Sequence, residues 1–105
     1  MAEIIKITSD NFQNTVIQND KTVVIDLWAA WCGPCRMFSP VFEKCADEMP
    51  LIQFGKMNID EEPELASSIR VMSIPTVLIY KNGEIAKKIS GAVSLSELKR
   101  TIEEL

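Results

Sequence analysis

The sequence predicts an α/β fold: a mixed sheet of about five strands with helices on both faces, in the order βαβαβαββα. Three observations predict it. "TVVIDLWAA" (Thr22 to Ala30) is apolar and β-branched nearly throughout, as a strand buried on both faces must be. Before Pro75, short apolar runs alternate with segments of helical spacing, the rhythm of parallel βαβ units. After Pro75, "TVLIY" and "EIAKKI" flank Asn82-Gly83, two residues that tolerate positive φ and so favour a tight hairpin.

The elements follow in order. "IIKI" (Ile4 to Ile7) reads as a short strand. "SDNFQNTVIQND" opens with capping residues and sets Phe12, Val16 and Ile17 at helical spacing, which predicts a helix. The buried strand Thr22 to Ala30 comes next, then a long helix from about Pro34 to Met49, with Pro40 expected to kink it. "LIQFGKMNI" (Leu51 to Ile59) is a further strand, and "EEPELASSI" a short helix with Pro63 near its first turn. The hairpin strands follow. "SLSELKRTIEEL" ends the sequence as an amphipathic helix, with Ser94 and Glu97 in capping-box spacing and Leu95, Leu98 and Ile102 on one face.

The 105 residues, 47% hydrophobic and 25% charged, suit one globular domain spanning residues 1–105. A net charge of −4, without a block of one sign, argues against nucleic acid or an anionic membrane as partner. No apolar run approaches the length of a membrane span. "MAEIIKITSD" lacks the basic and apolar regions of a secretory signal, so a cytoplasmic protein is expected. Histidine is absent, which excludes Cys-His and Ser-His-Asp catalysis and any histidine-ligated metal within the chain.

The chemistry centres on "WAAWCGPCRM" (Trp28 to Met37). Cys32 and Cys35 fall where the buried strand gives way to the long helix, at the strand end where open α/β sheets commonly bind ligands. An ordinary thiol with a pKa of about 8.5 is only about 3% thiolate at pH 7. At a helix N-terminus, unpaired N–H groups and the macrodipole favour the anion. About 2 kcal/mol of such stabilisation would ionise roughly half the thiol at neutral pH. Pro34 suits the first helical turn, and Gly33 is expected to let the backbone turn tightly between the thiols. Cys35 lies one turn on, within reach of a disulfide. A zinc site would need further ligands. The only other cysteine, Cys45, shares the core face of the helix with Phe38, Val41, Phe42 and Met49, so no metal is expected. An odd cysteine count also fits a structural disulfide framework poorly. Asp26 is the one charge in the buried strand, and burial should raise its pKa.

"WCGPC" after "VVIDLWAA", followed by "SIPT" and then "KNG", resembles the thioredoxin family over essentially the whole chain. The resemblance implies a protein-disulfide reductase acting by dithiol–disulfide exchange. Cys32 matches the attacking thiol and Cys35 the resolving thiol, which together form the redox disulfide. Asp26 matches an aspartate that relays the proton of the resolving cysteine, and Lys56 a lysine that approaches and tunes it. Pro75 matches a cis proline packed against the disulfide. Trp31, Ile74, Gly91 and Ala92 match the apolar rim that receives substrate, with the Ile74 backbone hydrogen-bonding an extended client segment. Trp28 matches an inner, packing tryptophan. No cofactor is implied, because the electrons reside on the two sulfurs. Implied partners are a thioredoxin reductase, ordinarily an NADPH-dependent flavoprotein, and clients such as ribonucleotide reductase, peroxiredoxin and methionine sulfoxide reductase. The protein itself is expected to be a monomer. Departures from the family pattern are mild: "RMFSP" after the motif, and Met72 on the substrate rim. Two other readings share these residues. An oxidase or isomerase would differ in the residues between the cysteines, and a scaffold for binding would not need both thiols.

Overall fold

A computed structural model describes residues 2–105; Met1, where the expected domain begins, lies outside them. The strands are β1 (Ile4–Lys6), β2 (Val23–Trp28), β3 (Gln53–Asn58), β4 (Thr76–Lys81) and β5 (Glu84–Ser90). The helices are α1 (Gly33–Glu48), α2 (Pro63–Ile69) and α3 (Leu95–Glu103). The sheet order is β1-β3-β2-β4-β5. β3 runs parallel to both β1 and β2, while β4 is antiparallel to β2 and to β5. This is the mixed five-stranded sheet that the sequence predicts.

β2 lies at the centre and is covered on both sides. Val24, Val77 and Ile79 join Phe38, Phe42 and Cys45 of α1 and Leu98 and Ile102 of α3 in one core layer. Val23, Ile25 and Leu27 form the opposite layer with Ile7, Met57, Leu78 and Tyr80, closed by Leu65 and Ile69 of α2. The two-residue period of a strand therefore sends Asp26 to the α1 side with Val24. Phe42 anchors that side between Phe38 and Phe54, with ring centroids 6.1 and 5.4 Å away.

Two local expectations are corrected. The first predicted helix is a single π turn at Gln13–Ile17, with the Gln18 N–H donating to the Gln13 carbonyl at 2.9 Å. Its capping residues are used in a preceding turn instead: Thr8 N–H donates to Asn11 Oδ1 at 2.8 Å. Phe12 turns inward and meets the Tyr80 ring edge-on at 5.9 Å. Ser94 caps α3 by accepting from Glu97 N–H at 3.2 Å, but the Glu97 carboxylate accepts no reciprocal bond from the Ser94 N–H, so the capping box is incomplete. α1 continues through Pro40, whose ring is exposed and whose missing N–H leaves the Arg36 carbonyl without its i+4 donor, the usual origin of a helix kink.

The hairpin turn is as predicted, with φ of 54° at Asn82 and 80° at Gly83. A Cβ at Gly83 would lie 2.5 Å from the Ile17 carbonyl oxygen, so backbone strain and backbone collision coincide there. Gly83→Ala is therefore expected to lower unfolding stability by about 2 kcal/mol. Urea denaturation of the oxidised protein checks this; an unchanged midpoint would mean that the π turn moves aside freely.

Candidate active site

The loop after β2 delivers two cysteines to the start of α1. Cys32 is the N-cap residue, with extended backbone, and Pro34 follows inside the first turn. Cys32 and Cys35 are disulfide-bonded, with Cα atoms 5.3 Å apart. The Cys35 N–H points at Cys32 Sγ from 3.2 Å, so sulfur takes the place that a serine or aspartate oxygen fills at most helix starts. Gly33 departs from expectation. It has no positive φ, and an added Cβ would meet nothing within 4 Å. The first residue of a helix has ordinary helical backbone, so the turn between the thiols does not require glycine.

Beneath the disulfide, a cavity of about 170 Å³ is lined by Asp26, Trp28, Cys35, Arg36, Ser39 and Lys56. One water needs only ~15 Å³ of such space. Asp26 is buried, and neither of its carboxyl oxygens has a protein hydrogen-bond partner. Burial pushes its pKa from 3.8 up to about 7, against a smaller opposing pull from the Lys56 charge. Lys56 lies opposite Asp26 in the β2–β3 register. Its ammonium, however, is directed to Ser39 Oγ and stands 3.7 Å from Glu43 Oε2, so no Asp26–Lys56 ion pair forms. A hydroxyl and a carboxylate on α1 offer it better-hydrated partners than the buried Asp26 does.

Above the disulfide lies the rim. Ile74 is half-buried, with its carbonyl oxygen 3.9 Å from Cys32 Sγ. The Ile74-Pro75 peptide is cis, and Pro75 is buried. The Gly91 N–H donates to the Pro75 carbonyl at 2.9 Å, tying the β5–α3 loop to the same edge, and Ala92 beside it is exposed. Trp31 is 67% exposed, and its indole N–H donates to Asp60 Oδ2 at 2.8 Å. Next to it an open groove of about 610 Å³ runs past Ile59, Ala66, Val71 and Met72, where Met72 is 94% exposed. The structure thus brings Cys32, Cys35, Asp26 and Lys56 to one end of the sheet, with Trp31, Ile74, Pro75 and Gly91 around it.

Sequence reasoning missed Asp60, Ser39 and Glu43. The last two carried a readable signal, because Cys35, Ser39 and Glu43 recur at four-residue intervals on one stripe of α1. Cys45 is buried in the core with Met49 Sδ at 3.7 Å, and burial pushes its thiol up to about 11. It takes no part in the site. Among the described residues, no three acidic or cysteine side chains gather as a metal-ligand group, and no helix is long and apolar enough to cross a membrane.

The thioredoxin family model matches residues 3–104. The chain is 40% identical over 98 residues to the thioredoxin of Chlorobaculum thiosulfatiphilum, covering 92% of this chain and 91% of that one. It is 42% identical over 101 residues to that of Streptomyces clavuligerus, covering 95% and 94%. With the thioredoxin of Porphyra purpurea it shares 43% identity over 98 residues, 92% of each. With its paired thiols at the sheet's end and this likeness along nearly its full length, the chain belongs to the thioredoxin family of protein-disulfide oxidoreductases.

Proposed function

We propose that the chain reduces client-protein disulfides with Cys32 as nucleophile, Cys35 as resolving thiol and Asp26 as proton acceptor. The observation that carries this reading is the Cys35 N–H aimed at Cys32 Sγ at the N-terminus of α1. In the reduced protein the same amide and the helix dipole favour a thiolate on Cys32. That thiolate attacks one sulfur of the client disulfide. The client S–S bond breaks, a Cys32–client mixed disulfide forms, and the departing client thiolate takes up a proton.

Cys35 then passes its proton toward Asp26 through the cavity and attacks Cys32 Sγ. The mixed disulfide breaks, the Cys32–Cys35 disulfide forms, and the second client thiolate leaves. Two electrons have moved from the dithiol to the client. A carboxyl with a pKa of about 7 can both take and release a proton at neutral pH, which is what a relay requires. Lys56 tunes that carboxyl through its charge. Trp31, Ile74, Pro75, Gly91 and Ala92 form the surface that receives the client, whose extended backbone pairs with Ile74.

The same reading extends to the surroundings. Residues 1–105 act as one thioredoxin domain, monomeric and cytoplasmic. A thioredoxin reductase returns the disulfide to the dithiol, and ribonucleotide reductase, peroxiredoxins and methionine sulfoxide reductases are the client classes.

Insulin reduction by dithiothreitol tests the activity directly. The chain is expected to accelerate the appearance of turbidity, and Cys32→Ser to return it to the uncatalysed rate. Acceleration that survives Cys32→Ser would overturn the assignment.

Asp26→Asn separates the relay from a purely structural role. Turnover at neutral pH is expected to fall by at least about tenfold. Stability should move the opposite way. Because the folded pKa lies above the unfolded one, the wild-type protein loses stability as pH rises from about 4 through about 7. The variant escapes that loss, gaining up to about 4 kcal/mol above pH 7 and little near pH 4. Denaturant midpoints at the two pH values check the sign; normal turnover in a less stable variant would refute the relay.

A further inference from the structure

Asp26 and Lys56 face each other across the β2–β3 pair, yet the buried carboxyl is left without a protein partner. The ammonium that could reach it is held elsewhere. Lys56 Nζ donates to Ser39 Oγ and lies 3.7 Å from Glu43 Oε2. Ser39 Oγ–H donates to that same Glu43 oxygen at 3.2 Å. The three groups close a network between β3 and α1, with Ser39 and Glu43 one and two helical turns beyond Cys35.

Lys56 and Trp28 also stand between two spaces. Inside is the cavity shared by Asp26 and Cys35. Outside is an open groove of about 430 Å³ lined by Lys6, Glu43, Asn58 and Glu61. The other charges facing this region are accounted for. Arg36 donates to the Ala30 carbonyl at 2.8 Å, Lys6 pairs with Glu61 at 3.4 Å, and β4 sets only Val77 opposite Asp26. Lys56 is thus the cation whose placement decides the charge felt at Asp26.

We propose that Ser39 and Glu43 are positioning residues that tether the Lys56 ammonium away from Asp26, so that the carboxyl stays available for the Cys35 proton instead of being fixed as a carboxylate in an ion pair. The inference rests on Asp26 acting as the proton acceptor. Its physical basis is simple. An ammonium in contact with a carboxylate lowers the carboxyl pKa by about 1–3 on the pH scale, enough to take a neutral-pH base out of its working range. Held on α1, the same ammonium exerts a weaker pull across a longer distance. Ser39 does most of the holding, since it is half-buried while Glu43 is exposed to screening water.

The test is a carbon-13 NMR titration of the Asp26 carboxyl in the full-length oxidised protein. Ser39→Ala and Glu43→Gln are each expected to move its midpoint to lower pH, with Ser39→Ala giving a shift of about 1. Lys56→Met is expected to move it higher, and adding Ser39→Ala to Lys56→Met should change nothing further. The insulin-reduction pH profile should follow the midpoint in each variant. Unmoved midpoints in both single variants, or an equal downward shift without Lys56, would overturn the tether. The titration reads Lys56 placement without turnover. Failure of the relay alone would therefore leave the midpoint shifts intact while the pH profile ceased to track them.

Discussion

A single backbone N–H, that of Cys35, is directed at Cys32 Sγ across 3.2 Å, and the chemistry of the site grows from that arrangement. Every α-helix begins with N–H groups that lack carbonyl partners, and most helices satisfy them with a side-chain oxygen. Here the cap atom is sulfur, and Pro34 removes one competing donor from the same turn. The Arg36 N–H is already taken by the Cys32 carbonyl at 3.2 Å. What remains for the thiol is one aligned donor plus the positive end of a 16-residue helix. Neither requires a histidine, which the chain does not have.

The same burial that fixes this helix start also charges a cost at Asp26. β2 is buried from Val23 to Leu27, so it is rigid enough to hold the loop to Cys32 in one place. An ionisable group within it must lose most of its hydration. No ion pair offsets that loss, and no hydrogen bond from the protein satisfies the carboxyl oxygens. A hydrophobic residue of similar size would make a more stable strand. The strand therefore gives up stability at neutral and alkaline pH and gains a carboxyl that changes protonation near neutrality, as the proposed relay requires.

How much of this was legible in the sequence follows from the range of each interaction. β2, the Asn82-Gly83 turn, the Ser94 cap and the core position of Cys45 were readable, because each depends on residue type and near-neighbour spacing. The π turn at Gln13–Ile17 was not, since one added residue per turn leaves the apolar spacing of Val16 and Ile17 unchanged. Gly33 was misjudged because a glycine between two cysteines suggests a tight turn, while the helix begins earlier than Pro34. Burial of Asp26 was legible, but the direction of the Lys56 side chain depends on Ser39 and Glu43 from another element. The meeting of Ile74, Pro75 and Gly91 at Cys32 joins loops far apart in the chain, and only the family resemblance pointed to it.

The division of labour proposed for the two sulfurs rests on where each one faces. Both are nearly covered, so exposure alone does not rank them. Cys32 Sγ lies under the Ile74 carbonyl at the rim, beside a groove with exposed Trp31 and Met72 side chains. Cys35 opens instead onto the inner cavity with Asp26 and Lys56. In the exchange proposed above, a client disulfide crossing the rim would meet Cys32 first, and Cys35, the sulfur beside the Asp26 carboxyl, would be the one that later loses its proton. An attack order set in this way needs no moving lid, only a strand end that separates an outer sulfur from an inner one.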